Sequence, residues 1–179
     1  MKLKLLPKFI LSLGVLGVVL TITISIFSYE NSRRYLEEMY AQRVTFGSRS
    51  IADMLPVEDV KAILAEGGEE SAAYQRMEAL LSQLKQDGEV TFLSLVVPDE
   101  DSVTFYIDAC VPAMGDDPAN QIPYGSDIAY TDAASDETDL QNYYIIWDLF
   151  AQNKGTATPL VTDNSYGYNY TAVAPVLDE

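Results

Sequence analysis

Hydrophobic residues are distributed unevenly along the chain, and their longest uninterrupted run lies near the N-terminus. Residues 9–27 read FILSLGVLGVVLTITISIF and contain neither a charged residue nor a proline. At about 1.5 Å per residue, this run forms a helix of roughly 28 Å, which matches the hydrocarbon core of a bilayer. A helix satisfies its own backbone hydrogen bonds, so residues 9–27 are predicted to cross a membrane.

The charges beside this run predict its orientation. Lys2, Lys4 and Lys8 precede it, and no acidic residue does. The positive-inside rule therefore predicts that residues 1–8 are cytoplasmic and that residues 28–179 form one extracytoplasmic domain. The main alternative is a cleaved signal peptide, but its apolar core is normally about 7–15 residues long and ends at small residues. A pilin-type subunit is disfavoured because no acidic residue occurs before Glu30.

Helical spacing of apolar residues continues after the run. Over residues 29–55 these residues recur at intervals that place them on one helical face, and no breaker precedes Pro56. We therefore expect one continuous helix from the membrane to Leu55. Residues 57–65 and 71–86 are predicted to form two more helices, separated by a turn at Gly67 and Gly68.

The spacing of apolar residues then changes to every second position, which is typical of strands. Residues 90–97 and 103–110 are rich in branched and aromatic side chains, and the polar residues 98–102 between them predict a β-hairpin. Strict alternation on the second strand would place Val103, Phe105, Ile107 and Ala109 on one face and Thr104, Tyr106 and Asp108 on the other. The predicted fold class is α+β, with a long helix packed on an antiparallel sheet.

Residues 111–136 contain several prolines, glycines and aspartates, and they predict a long packed loop anchored by Ile122, Tyr124 and Tyr130. Residues 138–152 predict an aromatic helix, capped by Asp136 or Thr138. Strands are expected at 156–162 and 168–175. The sequence stops at what looks like a turn without a return strand, so we expect it to be part of a longer protein.

Charge and composition narrow the function. All 27 acidic residues follow the apolar run, together with eight of the 11 basic residues, since the other three are the N-terminal lysines. Such an acidic surface disfavours nucleic acid and suits cationic ligands. The chain has no histidine, which removes Ser-His-Asp triads and the common zinc sites, and its single cysteine, Cys110, removes an internal disulfide. Cys110 is expected to be a small buried apolar residue.

Two short acidic stretches have the oxygen ligands that Ca²⁺ prefers, but neither has the spacing of an EF-hand loop. These stretches are residues 99–101 and residues 116–117. No metal site and no cofactor are therefore predicted.

The order of elements, together with two local stretches, resembles a known family. The stretches are Phe105-Tyr106-Ile107-Asp108-Ala109 on the second strand and Tyr166-Gly167-Tyr168 leading into Thr171-Ala172-Val173-Ala174-Pro175-Val176. Residues 28–179 resemble the extracytoplasmic Cache sensor domains of bacterial transmembrane receptors, which share a PAS-like fold. In that family one more strand and a second membrane span follow, so the complete protein would cross the membrane twice.

The resemblance implies a ligand pocket on one face of the sheet, beneath the loop and the aromatic helix. The ligand-binding candidates it implies are Tyr106, Asp108, Tyr124, Tyr130, Trp147, Tyr166, Tyr168 and Tyr170. A carboxylate such as Asp108 suits a ligand amine, and tyrosine faces attract a cation. The resemblance further implies homodimers that pack through residues 29–55 and relay ligand binding to a cytoplasmic output domain, with no catalysis in this part.

Two other classes of protein remain open at this point. A membrane-anchored, exported carboxylate hydrolase would need two acidic residues converging in one cleft. A membrane-tethered scaffold or adhesion module would expose an apolar patch and would lack an enclosed pocket.

Overall fold

The computed structural model describes residues 5–66, 68–164 and 167–177, which divide into two compact units. The first unit is Met1–Ala41 and the second is Gln42–Glu179. The second unit combines α-helices with antiparallel strands, so the predicted α+β class is confirmed.

Helix α1, Leu5–Met54, is a single α-helix of 50 residues, as the uninterrupted helical pattern predicts. Its large apolar side chains between Phe9 and Phe27 are each between 52% and 74% exposed. The hydroxyls within this stretch donate to carbonyls one turn earlier: Thr21 bonds to Gly17 and Thr23 to Val19, both at 2.9 Å. The segment is therefore long enough and apolar enough to cross a membrane.

Helices α2, Val57–Glu66, and α3, Ala72–Gly88, lie within two residues of their predicted bounds. The Ser71 hydroxyl accepts a hydrogen bond from the Tyr74 amide at 3.1 Å and so caps α3. Both helices bury one face in the same hydrophobic cluster. Its buried members are Leu55, Val60, Ile63, Ala73, Tyr74, Met77, Leu81, Ile107 and Ala109.

Three strands form the first sheet, in the order β1-β2-β3. Strand β1, Ser94–Pro98, and strand β2, Ser102–Asp108, make the predicted hairpin, and β3, Ser126–Ala129, pairs with the other edge of β2. Strand β1 begins four residues later than predicted, because the amide of Val90 donates to the Lys85 carbonyl at the end of α3. Val90 is therefore bonded to the end of the helix and not to the sheet.

Strand β2 contains a bulge that the alternating pattern does not predict. Ile107 lies opposite Leu95, whereas Phe105 lies opposite Val96, so Tyr106 is an extra residue. Because Leu95 and Val96 are consecutive, they point to opposite faces, and so do Ile107 and Phe105. The predicted common face for the alternating residues 103–109 is therefore wrong.

Residues 111–136 form a packed segment, as expected, but they contain more regular structure than was predicted. Two short 3₁₀ turns, Pro112–Met114 and Pro118–Asn120, precede β3, and helix α4, Tyr130–Ala133, follows it. Strand β3 is absent from the prediction because its four residues, SDIA, carry no strand signal beyond a single isoleucine.

Helix α5, Glu137–Ala151, begins at Asp136, whose side chain accepts a hydrogen bond from the Asp139 amide at 2.8 Å. Strands β4, Leu160–Asn164, and β5, Gly167–Thr171, then form a separate two-stranded sheet. Both strands are shorter than predicted, and Pro159 lies outside β4. The Asn142 side chain connects α5 to β4 by donating to the Val161 carbonyl at 3.2 Å.

Thr156, predicted as the first strand residue, instead joins three parts of the second unit. Its amide donates to the Val173 carbonyl at 2.9 Å, and Arg49 of α1 donates to its carbonyl at 3.3 Å. A Cβ at Gly155 would lie 2.9 Å from the Val173 carbonyl oxygen, so this approach of two backbones requires glycine.

Two consecutive residues of α2 test the position of the core. We expect Ile63→Ala, at a fully buried position, to lower the free energy of unfolding by about 3 kcal/mol through cavity formation. Leu64→Ala, at a position 41% exposed, is the matched control and should cost less than about 1 kcal/mol. Urea unfolding of the full chain in detergent, followed by the fluorescence of Trp147, measures both. Equal losses would contradict the position of the core.

Candidate functional site

The predicted ligand-binding residues do not form one cluster in the structure. Tyr106, Asp108 and Tyr124 lie together where β2 meets the loop that precedes β3. Tyr130 and Trp147 have their own aromatic neighbours, and Tyr168 contacts Tyr170 in β5 with ring centroids 5.5 Å apart. Tyr166 lies outside the described residues.

Tyr124 occupies the centre of the first group. Its ring meets Tyr106 and Tyr74 edge to face, with centroid distances of 5.5 Å and 5.8 Å, and its hydroxyl donates to the Ile63 carbonyl at 2.8 Å. Edge-to-face rings at these distances are in direct contact. Tyr124 therefore connects the loop to α2, α3 and β2, and its ring fills the space between the other two.

Asp108 positions the loop through hydrogen bonds to neutral groups. One carboxylate oxygen accepts from the Ser94 hydroxyl at 2.9 Å, and the other accepts from the Ile122 amide at 3.2 Å. The Asp108 carbonyl also accepts from the Gln121 side chain at 2.8 Å. Both oxygens of the Asp108 carboxylate therefore have hydrogen-bond partners within the chain.

Two further carboxylates bond to residues 121–124 of the loop, and the sequence analysis did not identify them. Glu69 accepts a hydrogen bond from the Tyr124 amide at 3.2 Å, and Glu78 accepts one from the Gln121 side chain at 3.5 Å. Glu78 follows Tyr74 by one helical turn on α3, and this spacing was the signal available in the sequence. Burial of the Tyr74 ring, together with the charges of Glu78, Glu69 and Asp108, raises the pKa of Tyr74 to about 12.

Tyr130 belongs to a second aromatic group, formed with α5. Its ring stacks on Tyr143 at 5.2 Å and meets Tyr144 edge to face at 5.4 Å. Its hydroxyl donates to the Asp99 carbonyl at 2.6 Å, and burial, with the nearby Asp99 and Asp101, raises the pKa of Tyr130 to about 12. Tyr130 is 1% exposed, so it is a core residue in this structure. Trp147 of α5 stacks on Phe150 with centroids 6.0 Å apart.

A buried ion pair holds the loop at its other end. The Lys85 ammonium lies 2.6 Å from Asp116 and donates to the Ala109 carbonyl at 2.8 Å, and its side chain is 4% exposed. Asp116 also accepts from the Val111 amide at 2.6 Å. These bonds, led by the one from Lys85, lower the pKa of Asp116.

The acidic residues and the cysteine of this region are poorly suited to bind a metal ion or to react as a thiolate. In the part of the chain that the structure describes, no three acidic or thiol side chains are grouped so that they would hold a metal ion. Asp116, one of the residues in the acidic stretches, is committed to Lys85. Cys110 is half-buried, and burial is the main cause that raises its pKa. The thiolate is thereby disfavoured.

Comparison with protein-family models, with curated proteins and with solved structures finds no match to this chain.

The Lys85–Asp116 pair is expected to contribute to stability only while both groups are charged. The folded-state pKa of Asp116 lies below its ordinary value of 3.8, so the contribution is complete above that pH and is lost as the pH falls through the folded pKa. Asp116→Asn should cost about 3 kcal/mol at neutral pH, because it leaves the buried Lys85 charge unpaired. Urea unfolding at a series of pH values measures both effects.

The exposed pair of Lys61 and Glu58 provides the control, and Glu58→Gln should cost less than about 1 kcal/mol. Adding Lys85→Met to Asp116→Asn should recover much of the loss, since it removes the unpaired charge. A double variant less stable than Asp116→Asn would contradict this account of the pair.

Proposed function

We propose that this chain is the ligand-sensing part of a membrane-bound signal-transduction receptor. Residues 9–27 would cross the membrane, residues 1–8 would be cytoplasmic, and residues 28–179 would form an extracytoplasmic domain that resembles the Cache family. The observation that carries the proposal is α1 itself, a single helix in which the large apolar side chains of residues 9–27 are more than half exposed and in which Ile51, near the other end, packs against the domain core.

Burial in lipid is the physical reason for the membrane assignment. Apolar side chains such as Leu16 and Ile22 are more than half exposed, and removing such a side chain from water is favourable by roughly 1.5–3 kcal/mol. The lysines before the segment favour a cytoplasmic N-terminus. The acidic surface of the remaining chain is compatible with an exported domain that binds small cationic ligands.

The Cache resemblance is supported by the hairpin β1–β2 and by the long N-terminal helix whose end packs in the domain core. The two-stranded sheet β4–β5 stands apart from β1-β2-β3, whereas the PAS-like fold implies one sheet. We therefore base the proposed ligand contact on the group of Tyr106, Asp108 and Tyr124, which is found in the hairpin region, and not on the whole set that the resemblance implies.

A receptor of this kind would work as a homodimer through residues 29–55 of α1. Leu36, Met39 and Tyr40 lie beyond the apolar segment at spacings of three and four residues, and each is more than 40% exposed. These side chains form a stripe that a second copy would cover. The paired helices would adopt two packings, and a ligand that binds one packing more tightly would shift the equilibrium toward it. That shift would alter the activity of a cytoplasmic output module.

Cysteine labelling in intact cells tests the topology. Glu100→Cys places a thiol at the exposed hairpin turn, in a Cys110→Ala background that removes the native thiol. We expect a membrane-impermeant maleimide to label this variant without lysis, because the turn would be extracytoplasmic. The matched Lys2→Cys variant should be labelled only after the membrane is permeabilised. The reverse pattern would contradict the proposed orientation.

Disulfide cross-linking tests the dimer. Met39→Cys, again in the Cys110→Ala background, should give a disulfide-linked dimer under mild oxidation in membranes, because its side chain lies in the exposed apolar stripe. Glu37→Cys is the control, since two residues along a helix turn the side chain to about the opposite side. Equal cross-linking of the two variants, or none of either, would exclude this interface.

A further inference from the structure

We infer that Arg49 of α1 and Thr156, in the connection between α5 and β4, form a releasable latch between α1 and the C-terminal segment, residues 172–177. In the closed state Arg49 is bonded to Thr156. In the open state this bond is broken, and α1 stays attached to the domain only through the core and α3. The inference rests on the proposed function and deepens it, because it names the contact through which the domain would control α1.

Thr156 is the part of the latch that belongs to the domain. It is 2% exposed, its amide donates to the Val173 carbonyl at 2.9 Å, and its hydroxyl accepts from the Val173 amide at 3.2 Å. Its carbonyl remains for Arg49, which donates to it at 3.3 Å. Because Thr156 is bonded to Val173 in two ways, any group that binds its carbonyl is tied to the C-terminal segment, and that group lies on α1.

Arg49 is the part of the latch that can separate. Arg49 is exposed, and among the described residues the Thr156 carbonyl is its one hydrogen-bond acceptor. The distance of 3.3 Å exceeds the usual range of about 2.7–3.2 Å for such bonds. When an exposed donor leaves its acceptor, water replaces the lost bond, so the net gain from the bond is small. The closed state is therefore only slightly favoured by this contact.

Thr45, one turn before Arg49 on the same side of α1, opposes the closed state. Its hydroxyl oxygen is buried and has no hydrogen-bond partner among the described residues. An unmade hydrogen bond at a buried position is costly. Thr21 and Thr23 of the same helix donate to carbonyls one turn earlier, and the Thr45 hydroxyl could do the same, or meet water, once α1 separates. One helical face thus carries both a bond that closes the latch and a hydroxyl that favours its opening.

The end of α1 is attached independently of the latch. Ala52 is buried in the domain, as is Leu55 directly after the helix, and Ile51 packs against the core cluster. A second polar contact, from the exposed Arg43 to the Gly88 carbonyl at 2.8 Å, connects α1 to α3. Opening of the latch would therefore let α1 shift against the C-terminal segment while the domain stays folded, which is the movement that a relay to the membrane requires.

Thiol labelling of the full chain in detergent micelles measures the latch. Thr156→Cys, in the Cys110→Ala background, places a single thiol at a buried position, which N-ethylmaleimide reaches when α1 separates from it. The labelling rate therefore follows the population of the open state. We expect Arg49→Met to raise this rate by about three- to tenfold, as for the loss of one accessible hydrogen bond.

Two further variants distinguish the latch from a general loss of stability. Thr45→Val removes the unpartnered hydroxyl at nearly constant shape, so it should lower the labelling rate by about fivefold or more. Arg33→Met removes a positive charge from the same helix outside the second unit, where Arg33 pairs with Glu37, and should leave the rate unchanged. Circular dichroism confirms that each variant is folded. Because Thr45→Val should stabilise the closed state, its result tests the inference even if Arg49→Met does not fold.

The inference is overturned if Arg49→Met leaves the labelling rate unchanged, or if Thr45→Val leaves it unchanged or raises it. Equal increases in Arg33→Met and Arg49→Met would also overturn it, since loss of charge alone would then be responsible. If the expected pattern is found but the impermeant maleimide labels the Glu100→Cys variant only after lysis, the latch stands and the proposed function fails. If the pattern is absent while the topology and cross-linking results are as expected, only the latch fails.

Discussion

The buried ammonium of Lys85 is the interaction on which the arrangement of the loop depends. The Lys85 side chain is 4% exposed, so its charge requires both a counter-ion and hydrogen-bond acceptors. Asp116 and the Ala109 carbonyl supply them. Because Asp116 also accepts from the Val111 amide, the chain leaving β2 is tied to α3 at its first turn. Residues 121–124 can then reach back over α3 and β2, where Glu69, Glu78 and Asp108 hold them.

The fold was predictable wherever a segment has one strong periodic pattern. Helices α2, α3 and α5 and the β1–β2 hairpin follow from apolar spacing, from Pro56 and from the candidate cap Asp136. Strand β3 was not predictable, because four residues without alternation are defined only by pairing with the neighbouring β2. The ends of β4 and β5 were misplaced because Thr156 and Val173 bond to each other outside either sheet.

The candidate site was predictable only in part, and the bulge in β2 explains much of the difference. Strict alternation would have placed Tyr106 and Ile107 on opposite faces of the sheet, but the extra residue in β2 leaves both side chains packed against the same core. Tyr106 therefore meets Tyr124, which is a contact that no local pattern contains. In sequence, Glu69 and Glu78 look like ordinary surface residues, and only the return of a loop 43 to 55 positions later gives them a shared role.

The separation of β4–β5 from the main sheet has a consequence for how the domain opens. A two-stranded ribbon has little independent stability, and this one is connected to α5 by the Asn142 side chain. The amides of β4 and β5 should therefore exchange with solvent through a local opening well before those of α3. The C-terminal part of the chain would then form a separate cooperative unit, able to detach and reform while α2, α3 and β2 stay folded.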